Sequence, residues 1–177
     1  MTVKPADLMI LQYPAAALRA PARAITKIDQ HVKDVAQRMI DLMHEASGVG
    51  LAAPQVGLNW RMFVTDAPDD GGPKVFINPK LTDFSPTRSF SEEGCLSLPG
   101  IHIEIERPIG ATITALDLEG KQFSIASEEF VARVWQHEFD HLNGVLIIDR
   151  ISAEERNELR QKLKEMKASA AMGGKGF

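Results

Sequence analysis

The chain has 177 residues, of which 44% are hydrophobic and 25% are charged, and its formal net charge is −4. This length and composition predict one ordinary globular domain, and the negative charge argues against a general affinity for nucleic acid. No apolar stretch approaches the ~20 residues that a membrane-spanning helix needs, so no membrane partner is expected.

The first half of the chain predicts a helix followed by strands. The N-terminal segment lacks the features of a signal or transit peptide, so we expect a cytoplasmic location. Residues 29–46 repeat apolar side chains at helical spacing, with an inner face of Val32, Val35, Met39, Leu42, Met43 and Ala46. Pro54 and Gly57 favour a loop or short edge strand within residues 51–60. Residues 61–66 and 74–78 are typical of strands.

The second half predicts more strands and then a central helix. The strands are expected at residues 101–106, 111–118 and 121–126. Ser127 is a plausible N-cap for the following helix, because acidic residues occupy the next two positions, where the helix dipole favours them. Asn143 and Gly144 are expected to end that helix.

The C-terminal part predicts a charged helix over residues 153–168 and a flexible tail over residues 169–177. Helices and strands are segregated along the chain rather than alternating as βαβ units. We therefore predict an α+β fold. Its mixed or antiparallel sheets pack around the central helix, with an N-terminal amphipathic helix and a C-terminal helix.

The central helix carries the motif H-E-x-x-H, formed by His137, Glu138 and His141. Residues four apart lie on one face of a helix, so the two imidazoles can bind one metal ion. Glu138 can then accept a proton from a water at that ion. The alternative is a chance spacing of two histidines, because the motif is short.

Two histidines leave a catalytic metal site without its usual third protein ligand. The candidates are Cys95, His31, His44, His102 and a downstream acid. Isolated histidines without ligand spacing are more often structural. A lone cysteine is also most often a small buried apolar residue. Cys95 is nevertheless favoured, because Gly94 and Pro99 bracket it in a segment typical of a shaped loop.

Three segments together resemble the motifs of one enzyme family. Residues 48–55 read GVGLAAPQ, residues 93–97 read EGCLS and residues 136–144 read QHEFDHLNG. Their order and spacing are similar to those of the peptide deformylases, and the bacterial type 1 enzymes in particular. H-E-x-x-H alone is moderately specific, whereas the three motifs together are very specific. The resemblance covers most of the chain and implies a single catalytic domain over residues 1–168.

The resemblance implies a metal-dependent hydrolase that removes the formyl group from N-formylmethionine at the start of nascent peptides, releasing formate. It implies that Cys95, His137 and His141 bind one divalent metal ion. Fe2+ is expected natively, and Ni2+, Co2+ or Zn2+ can take its place. Glu138 is then the general base and acid.

The same resemblance assigns the oxyanion and substrate positions. The Gln55 side-chain amide and the Leu96 backbone N–H are expected to stabilise the oxyanion. The peptide is expected to pair with an exposed strand edge, next to Val49, Gly50, Glu93 and Gly94. Glu93 also matches a position that pairs with Arg107 behind the site in the family, where a surface ion pair is the alternative.

The methionine side chain of the substrate needs an apolar pocket. Phe130 and Val134 precede His137 by two turns and one turn on the same helix face, so we expect them to line it. The stem of Arg133 is expected at the rim. Ordinary core packing is the alternative for each of these residues.

In two regions the resemblance predicts the contacts with peptide or ribosome less specifically. Residues 100–108 read GIHIEIERP and differ from the best-known enterobacterial pattern, so peptide contacts beyond the methionine stay unassigned. The terminal helix resembles the ribosome-contacting tail of some bacterial members and carries Arg156, Arg160, Lys162, Lys164 and Lys167. A solvated helix is the alternative, because acids are interspersed.

Two other functions also fit the motif. A metallopeptidase would use H-E-x-x-H with a downstream third ligand, for which Glu158 and Glu165 are available. A non-catalytic metal-binding or ribosome-associated module would keep the metal and lack the activity.

Overall fold

The strands of the computed structural model, which describes residues 3–172, form two antiparallel sheets. In chain order they are β1 (Gly50–Ala52), β2 (Met62–Thr65), β3 (Lys74–Thr82), β4 (Arg88–Gly94), β5 (His102–Pro108), β6 (Ala111–Leu116) and β7 (Gln122–Ser127). Five of them form a sheet in the order β1-β2-β3-β6-β7, and β4 pairs with β5.

The helices are α1 (Gln30–Glu45), α2 (Phe130–Leu142), α3 (Ala153–Glu158) and α4 (Arg160–Ala171), with short 3-10 turns between other elements. The predicted α+β class with antiparallel sheets is confirmed. Within residues 3–172, none of the helices combines the length and apolarity needed to cross a bilayer.

Helices cover both faces of the five-stranded sheet. Side chains alternate between the two faces of a strand, so Met62 and Val64 of β2 pack with α1 residues such as Met39. Phe63 points to the other face and packs with Trp135 of α2. This burial on both faces explains the continuous apolar run of β2 and places α2 inside the molecule.

α1 follows the predicted helix closely. Asp29 is its N-cap, and the Asp29 carboxylate accepts a hydrogen bond from the Val32 N–H at 3.2 Å. The predicted inner face is wrong at one position. Ala46 is the exposed C-cap beyond the last helical residue, whereas Ala36 is fully buried.

α2 begins three residues after its predicted cap. Ser127 ends β7 instead, and its hydroxyl accepts a hydrogen bond from the Glu129 N–H. The side-chain cap comes from the loop between β2 and β3, where the Asp69 carboxylate accepts from the Val131 N–H at 3.1 Å. A residue 62 positions away therefore satisfies a free donor at the start of α2.

The other end of α2 agrees with the prediction. Asn143 is the C-cap, and Gly144 follows with a φ of 72°. A Cβ at Gly144 would lie 2.5 Å from the Arg19 carbonyl oxygen, so only glycine fits there.

The terminal helix is interrupted and longer than predicted. It is divided at Leu159 into α3 and α4, and α4 continues to Ala171 rather than ending at residue 168. Good helix formers at residues 168–171 account for the extension. The predicted tail therefore starts in a helix, and its last five residues, 173–177, lie outside the described residues.

Strand β4 has no counterpart in the sequence prediction. Its residues read RSFSEEG, and the only fully buried one is the charged Glu93. The segment lacks the alternation of apolar and polar side chains that predicts a strand, because its inward-facing position carries a carboxylate. Strand β3 is also longer than predicted, because an irregularity at Asn78 (φ 50°) lets pairing with β6 resume at Lys80.

Removal of the distant cap on α2 is expected to destabilise the fold. Asp69→Ala should lower the free energy of unfolding by about 1 kcal/mol, because the Val131 N–H loses its acceptor. Urea unfolding monitored by circular dichroism measures this change. Asp69→Asn, which keeps an acceptor oxygen, is the matched control and should lose less. An unchanged urea midpoint for Asp69→Ala would contradict this account of the cap.

Candidate metal centre and catalytic site

Three side chains from two separate elements converge at one point. His137 and His141 project from one face of α2, and Cys95 lies in the loop that follows β4. The Nε2 atom of His141 lies 3.4 Å from Cys95 Sγ and 3.3 Å from His137 Nε2. All three ligand atoms lie within 4.8 Å of one another, as binding to a single cation requires. A thiolate with two imidazoles suits zinc, iron or cobalt.

The other candidates for the third ligand lie elsewhere. His31 stacks edge-on against Trp60, His44 bonds Asp66, and His102 pairs with Gly94 at the mouth of the site. Glu158 and Glu165 are exposed on α3 and α4. Neither the isolated histidines nor the downstream acids join the group formed by Cys95, His137 and His141.

Burial and hydrogen bonding prepare the two histidines as ligands. Burial lowers the pKa of His141 well below its usual value, and the positive charge of Arg107 acts in the same direction. The His141 ring is therefore neutral and has a lone pair for a cation. The Nδ1 of His137 donates to Glu93 Oε2 at 3.0 Å, which leaves Nε2 directed at Cys95 and His141.

Glu93 is the acceptor on which several donors converge. Arg107 donates to it from Nε at 2.7 Å and from Nη2 at 3.0 Å, and Arg133 donates from Nη1 at 2.8 Å. Burial alone would raise the pKa of Glu93, but the hydrogen bonds from His137 and Arg107 hold it well below the usual range. The carboxylate is therefore charged.

Glu138 lies at the bottom of the site with only 3% of its surface exposed. Burial raises the pKa of its carboxyl group to about 7, against the opposing effect of His137. Within residues 3–172, Glu138 Oε2 has no hydrogen-bond partner, so this oxygen is available to a ligand or water. The donor set and the available carboxylate together fit a catalytic metal ion.

Gly50 allows the edge strand β1 to approach Glu138. A Cβ at this position would lie 2.4 Å from Glu138 Oε1 and 2.9 Å from Val134 Cγ1. Both distances are too short for real contacts, so a larger residue would displace the carboxylate.

Gln55 is held in one orientation beside the cysteine. Its Oε1 accepts a hydrogen bond from the Ala52 N–H at 2.8 Å. Its Nε2 donates to Ser97 Oγ at 3.2 Å and lies 3.8 Å from Cys95 Sγ. The amide N–H groups therefore face the site. The Leu96 N–H, in the same loop as Cys95, donates to no acceptor among residues 3–172.

A cavity of about 430 Å³ opens above these groups. Its lining includes every residue predicted to contact substrate, namely Val49, Gly50, Glu93, Gly94, Phe130, Arg133 and Val134. Phe130 stands half-exposed at 50%, and Val134 is buried. The Arg133 guanidinium donates to Glu93 and to the Ser89 carbonyl oxygen, and Arg133 is part of the cavity lining.

Sequence reasoning missed some residues around this site. Ser97 orients Gln55, and Arg150 bonds Asp140, which lies between the two histidines of the motif. Ser97 lies inside the EGCLS motif, so its position beside Cys95 was the available signal. Arg150 lies in the unremarkable run IIDRI, which carries no such signal.

Comparison with known proteins agrees with this geometry. The family model for polypeptide deformylase matches residues 8–157. The peptide deformylase of Thermotoga maritima is 47% identical over 84% of this chain and 90% of its own length. That of Rhizobium meliloti is 42% identical over the full length of both chains.

Solved structures show the same similarity in three dimensions. The crystal structure of a plant peptide deformylase superposes with a TM-score of 0.87 at 38% identity, covering 94% of each chain. The Thermotoga maritima enzyme gives a TM-score of 0.79 at 46% identity, over 82% of this chain and 97% of that one. Sequence, fold and site therefore agree that the chain belongs to the peptide deformylase family.

Proposed function

We propose that the chain hydrolyses the formyl amide of N-formylmethionine at the start of nascent peptides and releases formate. Membership of the family implies this metal-dependent reaction. The observation that carries the proposal is the cluster of Cys95, His137 and His141, with the buried Glu138 beside it.

The family is metal-dependent, and Cys95, His137 and His141 are the proposed ligands. We expect Fe2+ natively, with Ni2+, Co2+ or Zn2+ able to occupy the same ligands. When bound, such a cation polarises a carbonyl and lowers the pKa of water towards ~7.

Glu138 moves the proton in this proposal. Its carboxylate accepts a proton from the water that attacks the formyl carbon, and it then gives this proton to the departing amine. A pKa of about 7 suits both steps at neutral pH. The new C–O bond replaces the C–N bond of the amide, so the products are formate and a free N-terminal amine.

Gln55 and Leu96 are proposed to stabilise the oxyanion that develops on the formyl oxygen. The Gln55 amide is already oriented by Ala52 and Ser97, so it does not have to reorganise during the reaction. The Leu96 N–H is a second donor in the same loop as Cys95. Each neutral donor stabilises negative charge without titrating, and loss of one such donor typically costs about 3 kcal/mol.

The peptide is proposed to bind in an extended form between two strand edges. β1 is the edge of the five-stranded sheet, and β4 pairs only with β5 within the described residues. Gly50 of β1 and Gly94 of β4 both line the cavity, with Val49 and Glu93 beside them. Backbone hydrogen bonds to such edges bind a peptide without reading its side chains.

The methionine side chain is proposed to contact Phe130 and Val134 on α2, with the stem of Arg133 beside them. Leu98 and Ile101 add apolar surface to the same cavity. The pocket therefore matches a flexible apolar side chain.

We also propose that the enzyme acts in the cytoplasm, where nascent formylated peptides emerge, and that α3 and α4 contact the ribosome. The support is a cleft beside Tyr13 whose lining includes Arg156, Arg160, Lys164 and Lys167. Cosedimentation with ribosomes, compared with a chain lacking α4, tests this contact.

Anaerobically purified protein is expected to release formate from formyl-Met-Ala-Ser, with stoichiometric metal in the same sample. Acetyl-Met-Ala-Ser is the control and should react far more slowly, because its extra methyl group makes the carbonyl carbon bulkier and less electrophilic. Equal rates on both peptides would contradict selectivity for the formyl group. Cleavage of internal peptide bonds without formate would instead identify a metallopeptidase.

Two variants separate metal binding from proton transfer. Cys95→Ala should lose the metal, because only two protein ligands remain. Glu138→Gln should keep the metal while kcat falls roughly 100- to 10,000-fold, as for loss of a general base. Metal analysis and formate release on the same samples measure both effects. A Cys95→Ala protein that retains its metal would show that the third ligand lies elsewhere.

The methionine pocket is tested at its exposed rim. Phe130→Ala should raise KM for formyl-Met peptides roughly three- to tenfold and leave kcat unchanged, because partial apolar burial contributes about 1 kcal/mol. Phe90→Ala is the matched control, since Phe90 is 67% exposed on β4 and lies outside the cavity lining. If both variants show the same KM, the methionine does not contact Phe130.

A further inference from the structure

Arg150 connects the surface of the molecule to the centre of the site. It follows the 3-10 turn at Ile147–Asp149, and 44% of its side chain is exposed. Its Nε donates to Asp140 Oδ2 at 2.9 Å, and its Nη2 donates to Asp140 Oδ1. The guanidinium therefore binds both oxygens of one carboxylate, the geometry that holds it most firmly.

The carboxylate of Asp140 is buried, with 9% of the side chain exposed. Asp140 lies on α2 between His137 and His141, and its Oδ2 also accepts from Arg107 Nη1 at 2.9 Å. Within residues 3–172, Oδ1 of Asp140 has Arg150 as its donor and no other. Loss of Arg150 would leave a buried charged oxygen without a partner, which is strongly unfavourable.

Arg107 transmits the position of Asp140 to the metal ligands. The Arg107 side chain is 3% exposed, and all three of its nitrogens are engaged. Nη1 binds Asp140, while Nε and Nη2 bind Glu93. Glu93 in turn accepts from His137 Nδ1. A change at Asp140 must therefore be accommodated by moving Arg107, and with it the acceptor that orients the His137 ring.

We propose that Arg150 is a positioning residue for the metal centre. It fixes Asp140, and through Arg107 and Glu93 it fixes the ring of His137, so that it sets how tightly the cluster binds a divalent cation. The inference rests on the proposed function only in taking Cys95, His137 and His141 as the ligands.

An exposed ion pair on α1 shows why burial of the partner matters. Arg38 Nη1 donates to Glu45 Oε1 at 2.7 Å, and the Glu45 side chain is 59% exposed. Neither residue lines the cavity above the metal ligands. An exposed pair of this kind contributes little, so Arg38 provides the control.

The test compares Arg150→Met with Arg38→Met. The readouts are the dissociation constant for Co2+, the visible absorption of the Co2+ protein, and kcat and KM for formyl-Met-Ala-Ser. Arg150→Met should raise the Co2+ dissociation constant roughly tenfold, the lower end of the range for residues that orient a metal ligand. The Co2+ absorption should change because the His137 ring is reoriented. KM should stay unchanged, and Arg38→Met should match the wild type in every readout.

Arg150→Lys keeps the charge but loses the two-point contact, so it should give an intermediate Co2+ affinity. If circular dichroism shows that Arg150→Met does not fold, the Co2+ affinity of Arg150→Lys becomes the test. A wild-type Co2+ affinity of Arg150→Lys would then overturn the inference. Folded Arg150→Met that matches Arg38→Met in affinity and absorption would also overturn it. Absence of Co2+ binding to Cys95 in the wild type would instead contradict the proposed metal site itself.

Discussion

The buried ion pair between Glu93 and Arg107 joins the two-stranded sheet to α2, and the geometry of the site depends on it. Glu93 bonds His137 and Arg133 of α2, and Arg107 bonds Asp140 of the same helix. The hairpin that carries Cys95 and the helix that carries both histidines are thereby held in one relative position. Removal of either partner breaks a buried ion pair, which typically costs about 3–5 kcal/mol.

Such a network is a poor source of stability compared with the apolar clusters around it. Desolvation of each charge offsets most of the attraction between partners. The stability of the fold comes instead from burial of apolar side chains on both faces of the five-stranded sheet and beneath the hairpin. The charges fix the relative position of the hairpin and α2, because Arg107 binds Glu93 of β4 and Asp140 of α2 at the same time. Glu138 shows the opposite situation, since burial disfavours its charge and raises its pKa to about 7.

The open strand edges form the second feature of the site. Exposed edges favour unwanted pairing with other chains, and proteins usually keep them short or cover them. β1 has only three residues, and the cavity lies along it. Gly50 brings this edge against Glu138 without a side chain between them. The edge proposed to pair with the peptide and the carboxylate proposed to move the proton therefore lie next to each other.

Local sequence alone predicted α1, α2, most strands and the H-E-x-x-H face, and the family resemblance added Cys95 as the proposed third ligand. These features depend on periodicity, caps and motifs that each span a few residues. They can therefore be recognised in the sequence without knowledge of the fold. Strand β4 was missed because its one buried residue is the charged Glu93, and the cap at Asp69 was missed because it lies 62 positions from Val131. Only the tertiary structure showed that hydrogen bonds connect Arg150, Asp140 and Arg107 to the residue that orients His137. Their partners come from different elements, and such long-range pairing leaves no period or spacing in the sequence.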